Sequence, residues 1–271
     1  MINLSSKVEK FIYAVENIVR VKFKLYKSED KRISDSKEYW TRDYSENSKL
    51  AQDAHWRGKG IFEDEERWLK VGEENLDLIT RYSGILNLHF PLKQIVEWGC
   101  GGGANAIHFA PKTDEFVGVD IAPGSLEECE QQVRKSGLNN FRPILIDASH
   151  PESIINEINI NPDLFLCTYV YELLPSPAYG LIILKIANTI LKKDAIALIQ
   201  IKYNDGKKLC CTKRWRYKDN PYNMTAYSIE QFWNYAVEYG FEPIGVTLKP
   251  KQPLVNDQHY AYYILRKKQN T

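Results

Sequence analysis

From Gln94 to Tyr203 the chain repeats one rhythm: a short apolar run, an amphipathic stretch, then another apolar run. The segments "QIVEW", "FVGVDI", "FRPILID", "DLFLCTYV" and "AIALIQIKY" read as strands. Between them "ANAIHFA", "GSLEECEQQVRKSG", "PESIINEI" and "PAYGLIILKIANTILKK" read as helices. Such alternation implies right-handed crossovers and a parallel sheet covered on both faces. After a long loop come a helix in "SIEQFWNYAVEYG" and two strands, "FEPIGVTLK" and "HYAYYILRKK", joined by a turn-rich connector. The expected fold is α/β: a doubly wound, Rossmann-like, seven-stranded and mostly parallel sheet that closes in an antiparallel hairpin.

A glycine-rich turn sits at the first strand–helix junction, in "IVEWGCGGGANAIHFA" from Ile95 to Ala110. Glycine loses more conformational entropy on folding than any other residue, so a cluster of it needs a cause. In a doubly wound sheet that cause is usually close approach of the backbone to a ligand. The spacing is Glu97-x-Gly99-x-Gly101-x-Gly103. The second strand then ends in Asp120, whose carboxylate can accept hydrogen bonds from both hydroxyls of a ribose. The third runs into Asp147, within reach of an exocyclic amine on adenine. Three acids at the ends of three strands, beside one glycine turn, describe a pocket for an adenosine-bearing ligand. Two other readings stay open. Gly99 to Ala104 also satisfies the loose GxGxx(G/A) of dinucleotide-binding domains, which would make the chain an NAD(P)-binding oxidoreductase. Glycine needed only for tight packing explains the turn but not the acids in register. Pyrophosphate favours an uncluttered helix N-terminus, whereas a carboxylate at Glu97 suits a zwitterionic sulfonium better.

On these residues, together with "DLFLCTYVYELLP" and "YSIEQFWNYAVEYGFEPIGV", the sequence resembles the class I S-adenosylmethionine-dependent methyltransferases from about Trp68 to the C-terminus. The resemblance implies S-adenosyl-L-methionine as cofactor. It implies that Glu97 lies near the methionine part and that the Gly99, Gly101 and Gly103 turn passes under methionine and ribose. Asp120 would hold the ribose, Ile121 would pack on the adenine, Asp147 would read its amine and Ala148 would donate a backbone N–H. Tyr169, after the fourth strand, would line the pocket where methyl group and acceptor meet. The resemblance implies methyl transfer; Arg57 and a basic loop, taken up below, add the expectation of metal-independent O-methylation of a small molecule or peptide through a hydroxyl or carboxylate. N-methylation and a catalytically silent cofactor-binding scaffold are the alternatives. A metal-dependent branch needs an acid after strand four and an Asp-Asn pair after strand five. Glu172 and the reversed Asn204-Asp205 imitate that poorly, so no metal is expected.

Transfer from a sulfonium is an in-line displacement in which the protein supplies alignment and desolvation. An ionised carboxylate needs no base; a hydroxyl or amine gains from one within hydrogen-bond reach. The candidates are His259 before the last strand, His150 just past Asp147, and Glu172 beyond strand four. Against these stand a plain loop histidine at His150 and, at Glu172, an acid placed against a helix dipole.

Two regions outside the common sheet are expected to shape the acceptor site. In the polar, aromatic-bearing lead-in, Tyr39, Trp40, Tyr44 and Trp56 could stack on a flat ligand and Arg57 could bind a carboxylate. Anchoring the lead-in to the core explains the aromatics equally well. In "KYNDGKKLCCTKRWRYKDNPYNMTAY", Lys213, Arg214 and Arg216 interleave with Trp215 and Tyr217 and could recognise an anionic acceptor, while a solvated basic loop is the commoner explanation.

The first 30 or so residues carry Val8, Phe11, Ile12, Val15, Ile18 and Val19 at helical spacing. That apolar face needs the core or a second subunit, so a homodimer through this helix is one expectation. Helical pattern returns in "FEDEERWLKVGEENLDLITRYSGIL", with Trp68, Leu69, Leu76 and Ile79 as core positions. The expected division is a helical, aromatic extension over 1–67 and a methyltransferase domain over 68–271. A net charge of +1 gives no global reason for nucleic acid or membrane partners. Five cysteines without a CxxC point to reduced thiols, and the first residues hold too many charges for a signal peptide or membrane span. A cytoplasmic protein is expected.

Overall fold

The structure, a computed structural model, describes residues 8, 11–12, 15–16, 18–20, 22–23, 25–42, 55–159, 161–206, 212, 217 and 224–268. In chain order the principal elements are α1 (Glu29–Trp40), α2 (Glu65–Leu86), β1 (Leu92–Trp98), α3 (Ala106–Phe109), β2 (Thr113–Asp120), α4 (Pro123–Lys135) and β3 (Phe141–Leu145). They continue with α5 (Ile154–Glu157), β4 (Leu164–Cys167), α6 (Pro177–Ile190), β5 (Ile196–Lys202), α7 (Ile229–Glu238), β6 (Phe241–Gln252) and β7 (Asp257–Lys267). The strands form one seven-stranded sheet in the order β3-β2-β1-β4-β5-β7-β6. β3 through β5 run parallel, and β7 is antiparallel to both β5 and β6. The expected architecture, closing hairpin included, is the one observed.

The central parallel strands are buried on both faces, as β4 (LFLC) and β5 (IALIQIK) show with every residue buried, while the edge strand β3 is largely open. One face packs on α6 and α7 through Ile183, Leu184, Ala187, Phe232 and Ala236. The other packs on α2, α3 and α4 through Trp68, Ile79, Phe109, Leu126 and Val133. Helix α2 starts on Asp64, which accepts a hydrogen bond from Glu66 N at 3.0 Å, and stops at Asn87 in the left-handed region. Trp68 and Ile79 are fully buried as the sequence predicts, while Leu69 and Leu76 are only half-buried. Gly72 in α2 faces the segment after the glycine turn so closely that a Cβ would lie 1.9 Å from Ala104 O. Gly72→Ala is therefore expected to cost about 3 kcal/mol through overpacking against backbone, lowering Tm by about 5–10 °C. A scanning-calorimetry melt checks this.

Between the helical positions 8 and 22, Val8, Phe11, Ile12, Val15, Ile18 and Val19 are all exposed. The stretch read as merely polar contains helix α1, capped by Ser28, whose Oγ accepts from Lys31 N at 3.3 Å. Its buried face is Arg32, Asp35, Ser36 and Tyr39. Three described cysteines, Cys100, Cys129 and Cys167, are buried free thiols; Cys210 and Cys211 lie outside the described residues. Among the described residues no helix is long and apolar enough to cross a membrane.

Candidate active site

The strand order reverses between β1 and β4, the place where doubly wound sheets hold ligands at the carboxyl ends of their strands. A cavity opens there onto about 800 Å³ of empty space. Its floor follows the sheet, from Ile146 and Ala148 past β3, over Asp120 and Ile121 past β2 and Trp98, Gly99 and Gly101 past β1, to Tyr169 and Val170 past β4. Leu173, Leu174, Pro175 and Tyr179 form one wall. Ser36 and Trp40 of α1, with His55 and Tyr217, form the other boundary.

The glycine turn needs its glycines for two reasons. Gly99, Gly101 and Gly103 have φ of 71°, 50° and 91°, the left-handed region that side chains avoid. At Gly102 the need is space, since a Cβ there would meet Trp56 Cδ1 at 2.9 Å. Trp56 thus backs the turn from behind. It is 8% exposed and does not line the cavity.

Asp120 faces the cavity with a defined lone-pair arrangement. Gly101 N donates to Oδ2 at 3.1 Å and Ala122 N to Oδ1 at 2.9 Å. Each carboxylate oxygen keeps a second acceptor position, so the pair can receive two hydroxyls of a cis-diol. Burial pushes its carboxyl up, opposed by these backbone donors. Glu97 lies below the turn, 2% exposed. Its Oε1 accepts from Asn105 Nδ2 at 2.6 Å, while Oε2 has no hydrogen-bond partner. Asn105 is itself fixed by Asn75 of α2 at 2.9 Å and by Thr168 after β4 at 3.0 Å. Burial raises the Glu97 carboxyl to about 8, with Asn105 opposing and Asp120 adding to the shift. A buried carboxylate oxygen without a partner is costly, and its presence fits a ligand that brings a cation.

Of the remaining cofactor residues named from the sequence, Ile121, Ala148 and Tyr169 line the cavity. Asp147 does not. It stands outside the cavity lining, exposed, held by Ser149 N at 2.8 Å and by Lys37 Nζ of α1 at 2.9 Å. Those contacts, the backbone N–H first, hold its carboxyl below the usual range. The register of three acids in one pocket is therefore corrected: Asp120 lines it, Glu97 sits beneath it, and Asp147 is latched to α1.

None of the three base candidates lines the cavity. His259 pairs with Asp205 at 3.3 Å and packs on Tyr203. His150 is an exposed residue capping a short turn. Glu172 is buried beside Gln200 Nε2 at 3.4 Å, and burial raises its carboxyl to about 7. Arg57 is also corrected, because Glu65 at 2.8 Å and Gln132 at 3.4 Å engage its guanidinium away from the cavity. Trp40 does line it, donating through Nε1 to Tyr217 OH at 2.6 Å, with Tyr39 buried edge-on behind. Tyr44, Lys213, Arg214, Trp215 and Arg216 fall outside the described residues. Sequence reasoning missed Ser36, His55 and Tyr179 as lining residues. Only Tyr179 left a trace, following the Ser-Pro that opens α6, where its OH reaches Ala148 O at 2.7 Å. Among the described residues no cluster of metal-ligating side chains is present.

A family model described as a methyltransferase domain matches residues 67–246. Of solved structures, an S-adenosylmethionine-dependent methyltransferase from Clostridium acetobutylicum ATCC 824 aligns with a TM-score of 0.55 and 16% identity, over 76% of this chain and 93% of its own. The N-methyltransferase NodS from Bradyrhizobium japonicum WM9 aligns at 0.52 with 14% identity, over 73% of this chain and 96% of its own. At such identities the likeness is one of fold. No curated protein matches the sequence.

Proposed function

The chain belongs to the class I S-adenosylmethionine-dependent methyltransferases, and from that premise we propose that it methylates a carboxylate oxygen on a small molecule or peptide, without a metal. The cofactor supplies a methyl group already activated by the sulfonium. The chain's own residues bind and align. Asp120 receives the ribose hydroxyls, Ile121 and Ala148 take the adenine side, and the turn from Gly99 to Gly103 admits the ligand against backbone. Glu97 offers its free oxygen to the cationic amino group.

The observation that carries the choice of acceptor is the chemistry of the cavity wall. Among the described lining residues Asp120 is the sole acid, and it is committed to the ribose. The three base candidates stand elsewhere, and the one imidazole among the described lining residues, His55, packs edge-on against Phe62. A nucleophile ionised at neutral pH suits this wall, since it needs alignment and desolvation rather than proton removal.

The test is transfer from methyl-labelled S-adenosylmethionine to a panel of carboxylic acids, phenols and amines, followed by mild base. Label released as methanol identifies an ester and supports the reading. Label that survives base places the methyl on nitrogen or a phenolic oxygen and overturns it.

A further inference from the structure

Tyr169 stands in the left-handed region with φ of 59°, a strained conformation for a residue with a Cβ and one that clusters at functional sites. Three side chains from the far half of the sheet fix it there. Its backbone N–H donates to Gln200 Oε1 of β5. Its hydroxyl oxygen receives Gln252 Nε2 at 3.0 Å, from the end of β6, and Tyr262 OH at 2.9 Å, from β7.

Those anchors are themselves held. Gln252 also donates to Glu74 of α2 at 3.1 Å, and Lys249 Nζ reaches the same carboxylate at 2.5 Å. The hairpin tip just beyond Gln252 is clamped by Arg67 of α2, which donates to Pro253 O at 2.9 Å and Leu254 O at 2.8 Å. A cavity-lining ring is thus tied through the hairpin to α2, which packs on the same face of the sheet as that ring.

We infer that the closing hairpin is a working part of the transfer site: Gln252 and Tyr262 are positioning residues that hold Tyr169 as the wall at the sulfur end of the cofactor. The inference rests on the proposed function. With the ribose on Asp120 and the adenine toward Ile146 and Ala148, the amino-acid arm runs over Gly99 and Gly101 to Tyr169. The adenine end lies three strands away, at β3, and owes nothing to the hairpin. A loosened Tyr169 should therefore disturb the arm and leave the nucleoside alone.

The test measures binding of S-adenosylhomocysteine and of adenosine by calorimetry, for wild type, Gln252→Leu, Tyr262→Phe, Tyr169→Phe and the Gln252→Leu/Tyr169→Phe double variant. Gln252→Leu is expected to weaken S-adenosylhomocysteine about tenfold and adenosine less than twofold. The double variant should be no weaker than Tyr169→Phe alone, because both break one contact. Tyr262→Phe, which removes a single oxygen, keeps the test sound should Gln252→Leu fail to fold, and it should show the same split. Equal losses for both ligands mean a general structural defect and overturn the inference, as does no loss for either. A wild type that binds no S-adenosylhomocysteine overturns the proposed function itself.

Discussion

Asp120→Asn is expected to weaken S-adenosylhomocysteine binding by at least about a hundredfold. Both oxygens of the native carboxylate already accept one backbone N–H, from Gly101 and Ala122. Their remaining lone pairs are the ones available to a ribose. An asparagine amide turns one of these acceptors into a donor that also faces a backbone N–H. Hydrogen bonds to a charged group contribute about 1.5–3 kcal/mol each; one is lost outright and the other falls to a bond with a neutral amide oxygen, which together is worth roughly a hundredfold or more in Kd. Calorimetric titration of the variant decides it; an affinity within about threefold of wild type would remove Asp120 from the account.

The second large effect is one of pH. Glu97 has its carboxyl raised by burial to about 8, against an ordinary 4.5. A folded-state value above the unfolded one means that ionising this group opposes folding. Its contribution to stability is whole below about pH 4.5 and is lost as the pH climbs through 8. Glu172, raised to about 7 by burial, works in the same direction. The free protein should melt at progressively lower temperature from pH 5 to pH 8.5, and Glu97→Gln should flatten that slope. Cofactor binding reverses the sense. A cation beside the free oxygen of Glu97 ionises it, so binding below pH 8 releases a proton. S-adenosylhomocysteine should then bind about tenfold tighter per pH unit from 6 to 8, with no such slope in Glu97→Gln. Calorimetry in buffers of different ionisation enthalpy counts the proton directly, and a flat profile in the wild type would show that Glu97 does not meet the cation.

The sheet could be read in the sequence because its strands are nearly continuous apolar runs punctuated by amphipathic helices, a pattern that burial on both faces imposes. The glycine turn and Asp120 could be read because local backbone demands set them. Helix α1 could not. Its buried side is Arg32, Asp35, Ser36 and Tyr39, with Asp35 neutralised by Lys27 at 2.6 Å and Lys31 at 2.8 Å. Burial there is met by charge pairing, and no hydrophobic period announces it. Asp147 was misplaced for a related reason, since its partner Lys37 lies 110 residues earlier in the chain. Arg57 looked free for an acceptor because Glu65, eight residues on, carries no sequence mark of facing it. The hairpin was expected as architecture. That Gln252 and Tyr262 reach back to Tyr169 depends on which way the side chains of β6 and β7 face across a sheet whose pairing order only the structure reveals.

Everything in this account depends on a cavity that takes an adenosine linked to an amino-acid arm rather than to a pyrophosphate. The most direct measurement is a titration of the full chain with S-adenosylhomocysteine beside one with NAD, read as thermal stabilisation. At a hundredfold excess over Kd, S-adenosylhomocysteine should add about 2.7 kcal/mol of stability while NAD leaves the melt unmoved. Stabilisation by NAD with none from S-adenosylhomocysteine would contradict the account at its root.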